Sequence, residues 1–166
     1  MPTSSRSRLG LVLVVAVAFA LGALLPGAFA DDAAPSAVRS ALARSEKVQG
    51  APDRTMVLSK VVVQPGAKLV LHHHLGTQIS RIASGTLTYT VREGSAVVNE
   101  GDAELDPRRV RTIAAGQTAR ITPGQWLVEQ PSDIHEAANR GTKPVVIYLA
   151  TLLRSGAPPS TPVTQP

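Results

Sequence analysis

The sequence predicts an all-β protein, either a sandwich or a small barrel, from its hydrophobic pattern and its composition. Between residues 56 and 153, apolar residues recur at every second position in about eight to ten short runs, most of them ended by glycine or proline. This alternation places one face of each strand in the core, and turn residues at such spacing are typical of sandwiches and barrels. After residue 30 the only aromatic residues are Tyr89, Trp126 and Tyr148, so Val, Ile, Leu and Ala must build the core. That composition also favours strands.

The predicted strands follow one another with a turn signal between neighbours. The early runs are 56–63, which ends at Gln-Pro-Gly, 68–74, which ends at Gly76, and 78–85, which meets 86–91 at Gly85. The later runs are AVV at 96–98, VRTIA at 110–114, GQTARI at 116–121, QWLVEQ at 125–130, IHEAAN at 134–139 and VVIYLATLL at 145–153. Only glycine takes a positive φ without penalty, so we expect Gly85 at a hairpin corner.

The first thirty residues are typical of a secretory signal peptide. Arg6 and Arg8 precede an apolar stretch at 9–25, and the small-x-small pattern AFA stands directly before Asp31. We expect cleavage there and a secreted or extracytoplasmic protein with no stable membrane anchor. The alternative is an uncleaved anchor, because the stretch approaches spanning length. The absence of cysteine excludes a lipid anchor on a cysteine and any disulfide.

Segments of different composition flank the predicted barrel at 53–153. Residues 31–52 are rich in alanine and serine, with a weak helical spacing between Val38 and Leu42, which predicts a spacer that can hold one short helix. Residues 154–166 are rich in proline and show no apolar period, which predicts a disordered tail.

The charge pattern argues against a nucleic-acid partner. The formal net charge is +5, and the basic residues are scattered along the chain. The one local run, RRVR at 108–111, follows the acidic stretch NEGDAELD at 99–106. We interpret it as a solvated loop.

Three of the four histidines stand side by side at positions 72 to 74. Alternate residues of a strand share a face, so His72 and His74 point one way and His73 the other. Paired imidazoles suit Zn, Cu, Fe, Ni or Mn. Gln78 could reach the same point if the intervening turn folds the chain back, and His135 could join from a neighbouring strand.

The spacing of these residues resembles the two motifs of the cupins. The first motif, G-x5-H-x-H-x3-4-E-x6-G, fits Gly66, His72, His74 and Gly85, with Gln78 in place of the glutamate. The second motif, G-x5-P-x-G-x2-H-x3-N, is matched less closely. Its residues are Gly124, Pro131, His135 and Asn139, with one residue too many before the proline and one too few after it.

The resemblance implies a cupin-type double-stranded β-helix, a jelly-roll barrel, with one divalent transition metal inside. Carried over by position, the metal ligands are His72, His74, Gln78 and His135, and Asn139 is structural. The metal can be Fe, Mn, Cu, Zn or Ni; a degenerate barrel without metal is the alternative. Two further residues are candidates for lining the pocket. They are Ser80, which alternation turns inward, and Trp126, which can equally belong to the core or rim.

The neutral glutamine bears on the expected ligand. An amide in place of a carboxylate leaves the metal with more positive charge, which favours an anionic small molecule. Three functions stay open: a metal-dependent dioxygenase or related oxidoreductase acting on a small anionic or phenolic substrate, a non-catalytic cupin that binds a small molecule or metal, and a structural scaffold. We also expect a homodimer, because small cupins often pair and the apolar strand at 56–63 can cover a partner's edge.

Overall fold

The structure, a computed structural model, describes residues 34–164, and this part of the chain consists of strands joined by turns. The twelve strands are β1 Ala37–Ser45, β2 Arg54–Val63, β3 Lys68–His73, β4 Gly76–Ser84, β5 Leu87–Glu93, β6 Ser95–Glu100, β7 Arg108–Ala114, β8 Thr118–Ile121, β9 Trp126–Glu129, β10 Ile134–Ala138, β11 Val145–Arg154 and β12 Thr161–Pro162. The all-β prediction is therefore confirmed. The predicted signal peptide at 1–30 lies outside the described residues.

The strands form two antiparallel sheets. One sheet has seven strands in the order β1-β2-β11-β4-β9-β6-β7, and the other has five in the order β12-β3-β10-β5-β8. Strands that are distant in sequence are neighbours in both sheets, as β2 with β11 and β3 with β10. Within residues 34–164 there is no helix that is long and apolar enough to cross a membrane.

The core lies between the sheets and is built from alternate residues of the strands. On β11 the residues Val145, Ile147 and Leu149 are buried, and on β2 Val61 and Val63 are buried. Each such side chain contributes about 1.5–3 kcal/mol when fully buried. The alternation of apolar residues that predicts the strands is thus the alternation that places side chains in the core.

Two glycines of the first motif have a positive φ, which the sequence predicts for Gly85. Gly66 has φ +81° and Gly85 has φ +74°, both in the left-handed region. A Cβ at Gly85 would lie 2.7 Å from the carbonyl oxygen of Pro144. Gly85 is therefore required both for the turn and for the close approach of the neighbouring chain.

The short helix predicted within 31–52 is wrong, because this segment forms β1. Strand β1 pairs antiparallel with β2 along its length, from Ala37 opposite Val63 to Ser45 opposite Met56. The spacing of four between Val38 and Leu42 fits a strand as well as a helix, since even separations share a face. β1 satisfies backbone groups of β2 that would otherwise form an open sheet edge.

The disordered tail predicted from residue 154 is also wrong for the described part of that segment. Strand β12 pairs with β3, with Thr161 opposite His73, and the Val163 amide donates to the Leu71 carbonyl at 2.9 Å. A proline-rich segment has no core of its own, but the free edge of β3 offers it hydrogen-bond partners. Proline is tolerated there because an edge strand does not need every amide.

Candidate metal centre

Two cross-strand pairs face each other between the sheets. On the five-stranded sheet His72 of β3 lies opposite His135 of β10. On the seven-stranded sheet Gln78 of β4 lies opposite Glu129 of β9. His74 follows the end of β3, and it is fully buried. The site therefore depends on the pairing register of β3 with β10 in one sheet and of β4 with β9 in the other.

The structure brings together the three histidines that the sequence singled out. The nearest ring nitrogens of His72, His74 and His135 all lie within 4.8 Å of one another, and all three residues are buried. The centroids of the His72 and His135 rings are 4.4 Å apart. His73 is not part of this group, and its side chain is half-buried on the opposite side of the strand.

Backbone carbonyls hold two of the rings in place. His72 Nδ1 donates to the Val70 carbonyl at 2.6 Å, and His74 Nδ1 donates to the Pro159 carbonyl at 2.8 Å. A carbonyl only accepts, so each Nδ1 carries the hydrogen, and in the neutral ring the lone pair is on Nε2. This is the tautomer in which Nε2 binds a metal, and the carbonyl is the usual outer partner of such a ring.

Glu129 is a buried member of the site that the sequence analysis did not identify. Its Oε2 lies 3.4 Å from His74 Nε2, and its Oε1 lies 3.5 Å from His135 Nε2. The Gln78 amide donates to Oε2, and the Ser80 hydroxyl donates to the same atom at 3.4 Å. One signal in the sequence could have revealed it: Glu129 stands two residues after Leu127, so a strand that buries the leucine also buries the glutamate.

Gln78 lies at the site, with its amide nitrogen towards the ring nitrogen of His74 at 3.2 Å. The amide oxygen has no hydrogen-bond partner among residues 34–164. Gln78 is therefore placed as a hydrogen-bond donor to its neighbours. Its coordination of a metal remains a prediction.

The ionisation states suit metal binding. Burial, and then the proximity of His135, lower the pKa of His72 to about 4, and burial also lowers the pKa of His135. Burial alone would raise the pKa of Glu129, but its contacts with His74, His135 and Gln78 lower it. His72 and His135 are thus neutral and Glu129 is ionised, which are the forms that bind metals.

A cavity of about 360 Å³ adjoins the site. Its lining includes Ser80, as the sequence predicts, together with Tyr89, whose ring stacks on His135 at a centroid distance of 5.1 Å. Trp126 does not line this cavity, so its assignment to the pocket is corrected. It alternates with the inward-facing Leu127, which turns its indole to the other side of β9.

Arg39 of β1 is a second cavity residue that the sequence analysis did not identify. Its side chain lines the same cavity as His72 and Glu129. Burial lowers the pKa of its guanidinium, while the charge of Glu129 opposes that shift. Among the residues described, no carboxylate forms an ion pair with it. Because the sequence predicts a spacer with a short helix here, it gives no reason to expect the Arg39 side chain to point into the cavity.

Comparison with solved structures assigns the fold. A cupin 2 domain-containing protein from Halorhodospira halophila superposes with a TM-score of 0.50 at 16% identity, over 77% of this chain and 70% of that one. A cupin superfamily protein from Desulfitobacterium hafniense gives a TM-score of 0.48 at 16% identity, over 71% and 78% of the two chains. KdgF from Halomonas sp. gives 0.47 at 18% identity, over 72% and 81%. No family model and no curated protein sequence matches significantly.

The chain therefore has the cupin fold, as the two motifs predict. His72, His74 and His135 form a group inside it that could bind a metal. Three imidazoles beside a carboxylate are a donor set that suits a transition metal.

Proposed function

We propose that this protein is a secreted metal-binding cupin whose barrel cavity takes a small molecule. The observation that carries the proposal is the convergence of three histidines, two from one motif and one from a distant strand, with their ring nitrogens within 4.8 Å. Two of these rings donate Nδ1–H to backbone carbonyls, which leaves Nε2 as the atom available to a metal. A run of histidines on a surface would show neither feature.

Elemental analysis of protein purified from its native source tests this proposal and identifies the metal. We expect about one divalent transition metal ion per chain, among Fe, Mn, Cu, Zn and Ni. His72→Ala should lose the metal, whereas the matched control His73→Ala should retain it. Wild-type protein with no bound metal, and none after incubation with these ions, would refute the metal site.

We propose further that the ligand of the cavity is a small anion. Arg39 supports this, because a guanidinium that lines a cavity without a carboxylate partner is suited to a carboxylate or enolate ligand. Lys68 lines the same cavity and adds positive charge. The cavity volume of about 360 Å³ is at the small end of ligand pockets.

A competition experiment tests the anion proposal. Malonate and benzoate should perturb the visible spectrum of the Co²⁺-loaded protein, and Arg39→Met should weaken their binding by about tenfold or more. Arg44→Met is the control, since Arg44 lies on the same strand but is exposed and paired with Glu46. Equal effects of the two substitutions would contradict the role of Arg39.

The proposed reaction is oxidation of a small anionic or phenolic substrate by oxygen, as in a dioxygenase. When bound, the metal would supply Lewis acidity or activation of oxygen or water. In the cavity, Arg39 would orient an anionic substrate, and the buried ring of Tyr89 would help to exclude water. Oxygen uptake by metal-loaded protein across a panel of small acids and phenols is the test.

The second candidate is a cupin that binds its ligand without turnover. It rests on the same cavity and the same three histidines, which can hold a ligand whether or not a reaction follows. Ligand binding without oxygen consumption would support this non-catalytic function over the dioxygenase function. A barrel that binds neither metal nor small molecule would select the scaffold function.

We also propose that the chain is exported and that it forms a homodimer. The signal-like sequence at 1–30 supports export. The dimer is supported by exposed apolar side chains on the outer face of the seven-stranded sheet, among them Met56 and Leu58 of β2. The sequence predicts that the edge of the strand at 56–63 pairs with a partner, but β1 already pairs with that edge of β2.

A further inference from the structure

We infer that Glu129 is the fourth protein ligand of the metal, supplied by β9 in place of the motif glutamate that this chain lacks at position 78. The inference rests on the proposed function, since it assumes that the three histidines hold a metal. It changes the ligand set: the sequence alone assigns the fourth position to Gln78.

The register of the seven-stranded sheet makes the replacement possible. Gln78 of β4 and Glu129 of β9 are directly opposite residues of neighbouring antiparallel strands. Side chains in such pairs lie side by side, with Cβ atoms about 4.5–5.5 Å apart. A carboxylate moved from one position to the other therefore stays at the same level of the barrel and on the same inner face.

The carboxylate oxygens face the ring nitrogens that would bind the metal. Oε2 lies 3.4 Å from His74 Nε2, and Oε1 lies 3.5 Å from His135 Nε2. Because His74 gives its Nδ1 hydrogen to the Pro159 carbonyl, Nε2 is the nitrogen left to bind a metal, and it is the atom that faces the carboxylate. Donor atoms that converge in this way can share one cation placed between them.

The burial of Glu129 points to the same cation. The residue is 3% exposed, and no lysine or arginine forms an ion pair with it anywhere in residues 34–164. A buried carboxylate without a positive partner is strongly destabilising. A divalent metal held by the three histidines would provide that charge at the place where both oxygens point.

Gln78 then acts as a positioning residue. Its amide nitrogen donates to Glu129 Oε2, and the Ser80 hydroxyl donates to the same oxygen at 3.4 Å. These donors fix the direction of the carboxylate, as outer-shell partners do for metal ligands. The net charge of the loaded site is consequently that of a site with three histidines and one glutamate. Attraction for anions therefore depends on Arg39.

The test is a swap of the two side chains, read out by Zn²⁺ affinity in competition with a chelator. Glu129→Gln should weaken binding by more than the roughly 10- to 100-fold that is typical of outer-shell changes. Gln78→Glu combined with Glu129→Gln should restore affinity to within about tenfold of wild type, because it keeps one carboxylate and one amide in contact. Gln78→Ala should cost about 10- to 100-fold. The Co²⁺ absorption spectrum should change with Glu129→Gln and return in the swap.

Glu136→Gln is the matched control, since Glu136 is next to His135 in sequence but pairs with Arg92 on the outer face. The inference is overturned if Glu129→Gln binds Zn²⁺ as tightly as Glu136→Gln while His72→Ala does not bind. It is also overturned if the swap fails to restore affinity in a folded protein. If Glu129→Gln alone does not fold, the swap still decides the question. Wild-type protein that binds no metal would instead refute the metal site itself, and Glu129 as a ligand with it.

Discussion

At the scale of single residues, the site combines groups whose protonation must differ between the folded and the unfolded chain. The His72 ring is buried and lies near His135, His74 and Glu129, and its pKa is lowered to about 4. An unfolded chain has a histidine pKa of about 6.5. The unfolded state therefore takes up the proton first as the pH falls.

Acidification should accordingly destabilise the metal-free protein. Because the folded pKa of His72 is depressed, this effect is absent above about pH 7 and grows as the pH falls through 6.5 towards 4. It should amount to about 2 kcal/mol at pH 5. Glu129 adds to this loss only below about pH 5, where the unfolded glutamate is protonated while the folded one, with its pKa lowered to about 2, stays ionised. Urea unfolding at pH 7.5 and pH 5 measures the effect, and His72→Gln should reduce it. A pH-independent midpoint would contradict a buried neutral His72.

Asn139 is a structural residue. Its amide nitrogen donates to the carbonyls of Val63 and Lys143, each at 2.9 Å, and its amide oxygen accepts from the Gly141 amide at 2.9 Å. Asn139→Ala should cost about 2–4 kcal/mol, because it leaves buried backbone groups unpaired. Urea unfolding checks this. Metal stoichiometry of the variant should be unchanged, and loss of metal without loss of stability would contradict a structural role.

At the scale of the strands, β12 connects the end of the chain to the metal site. The Pro159 carbonyl that precedes it accepts from His74 Nδ1, and β12 itself pairs with β3. The orientation of His74, the second histidine of the motif, thus depends on a residue 85 positions away in the sequence.

Removal of this segment should weaken metal binding. A chain that ends after Gly156 lacks the Pro159 carbonyl, and its metal affinity should fall by about 10- to 100-fold. A chain that ends after Thr164 keeps both the carbonyl and β12, and it serves as the control. Chelator competition compares them. Equal affinities would show that β3 alone orients His74.

The strands that the sequence predicts are those that alternate and bury one face, such as 145–153 and 56–63. Their pattern and their packing have the same period, so little else is needed to identify them. β1 and β12 are not predictable in this way, because they are edge strands held by their neighbours' backbone groups and carry almost no buried side chains. Position 78 is predicted as a site residue because it belongs to the cupin motif. Glu129 belongs to no motif, and its place in the site follows from its pairing with Gln78 across the sheet.

At the scale of the whole molecule, an apolar outer face is available for a second copy. Met56 and Leu58 of β2, Ile79 of β4 and Tyr148 of β11 are all exposed on the seven-stranded sheet, and each is more than 40% accessible. The residues opposite one another in register, Leu58 with Ala150 and Ala150 with Ile79, form a row across three strands. Such a row is suited to pairing of two sheets face to face.

The proposed dimer should therefore depend on this face. Light scattering at micromolar concentration should give twice the mass of one chain, and Leu58→Glu should reduce it to one. Val70→Glu, on the five-stranded sheet, is the control because Val70 is exposed too, at 65% against 43% for Leu58. A monomeric wild type would refute the dimer without affecting the metal site.

Export is a property of the whole chain and is tested on the protein produced by its own cell. We expect mature protein outside the cytoplasm with an amino terminus near Asp31, since the small-x-small pattern ends at Ala30. Amino-terminal sequencing determines this. Recovery of only the full-length chain from membranes would support the uncleaved anchor instead.

The central claim, a metal site inside the barrel, is tested most directly by isothermal titration of one divalent metal into His135→Ala and His73→Ala. His73 lies within the histidine run but outside the cluster, and His135 lies far from the run but inside the cluster. The account predicts that His73→Ala binds one metal ion with an affinity close to that of the wild type, while His135→Ala binds none stoichiometrically. Retained binding by His135→Ala together with loss in His73→Ala would contradict it.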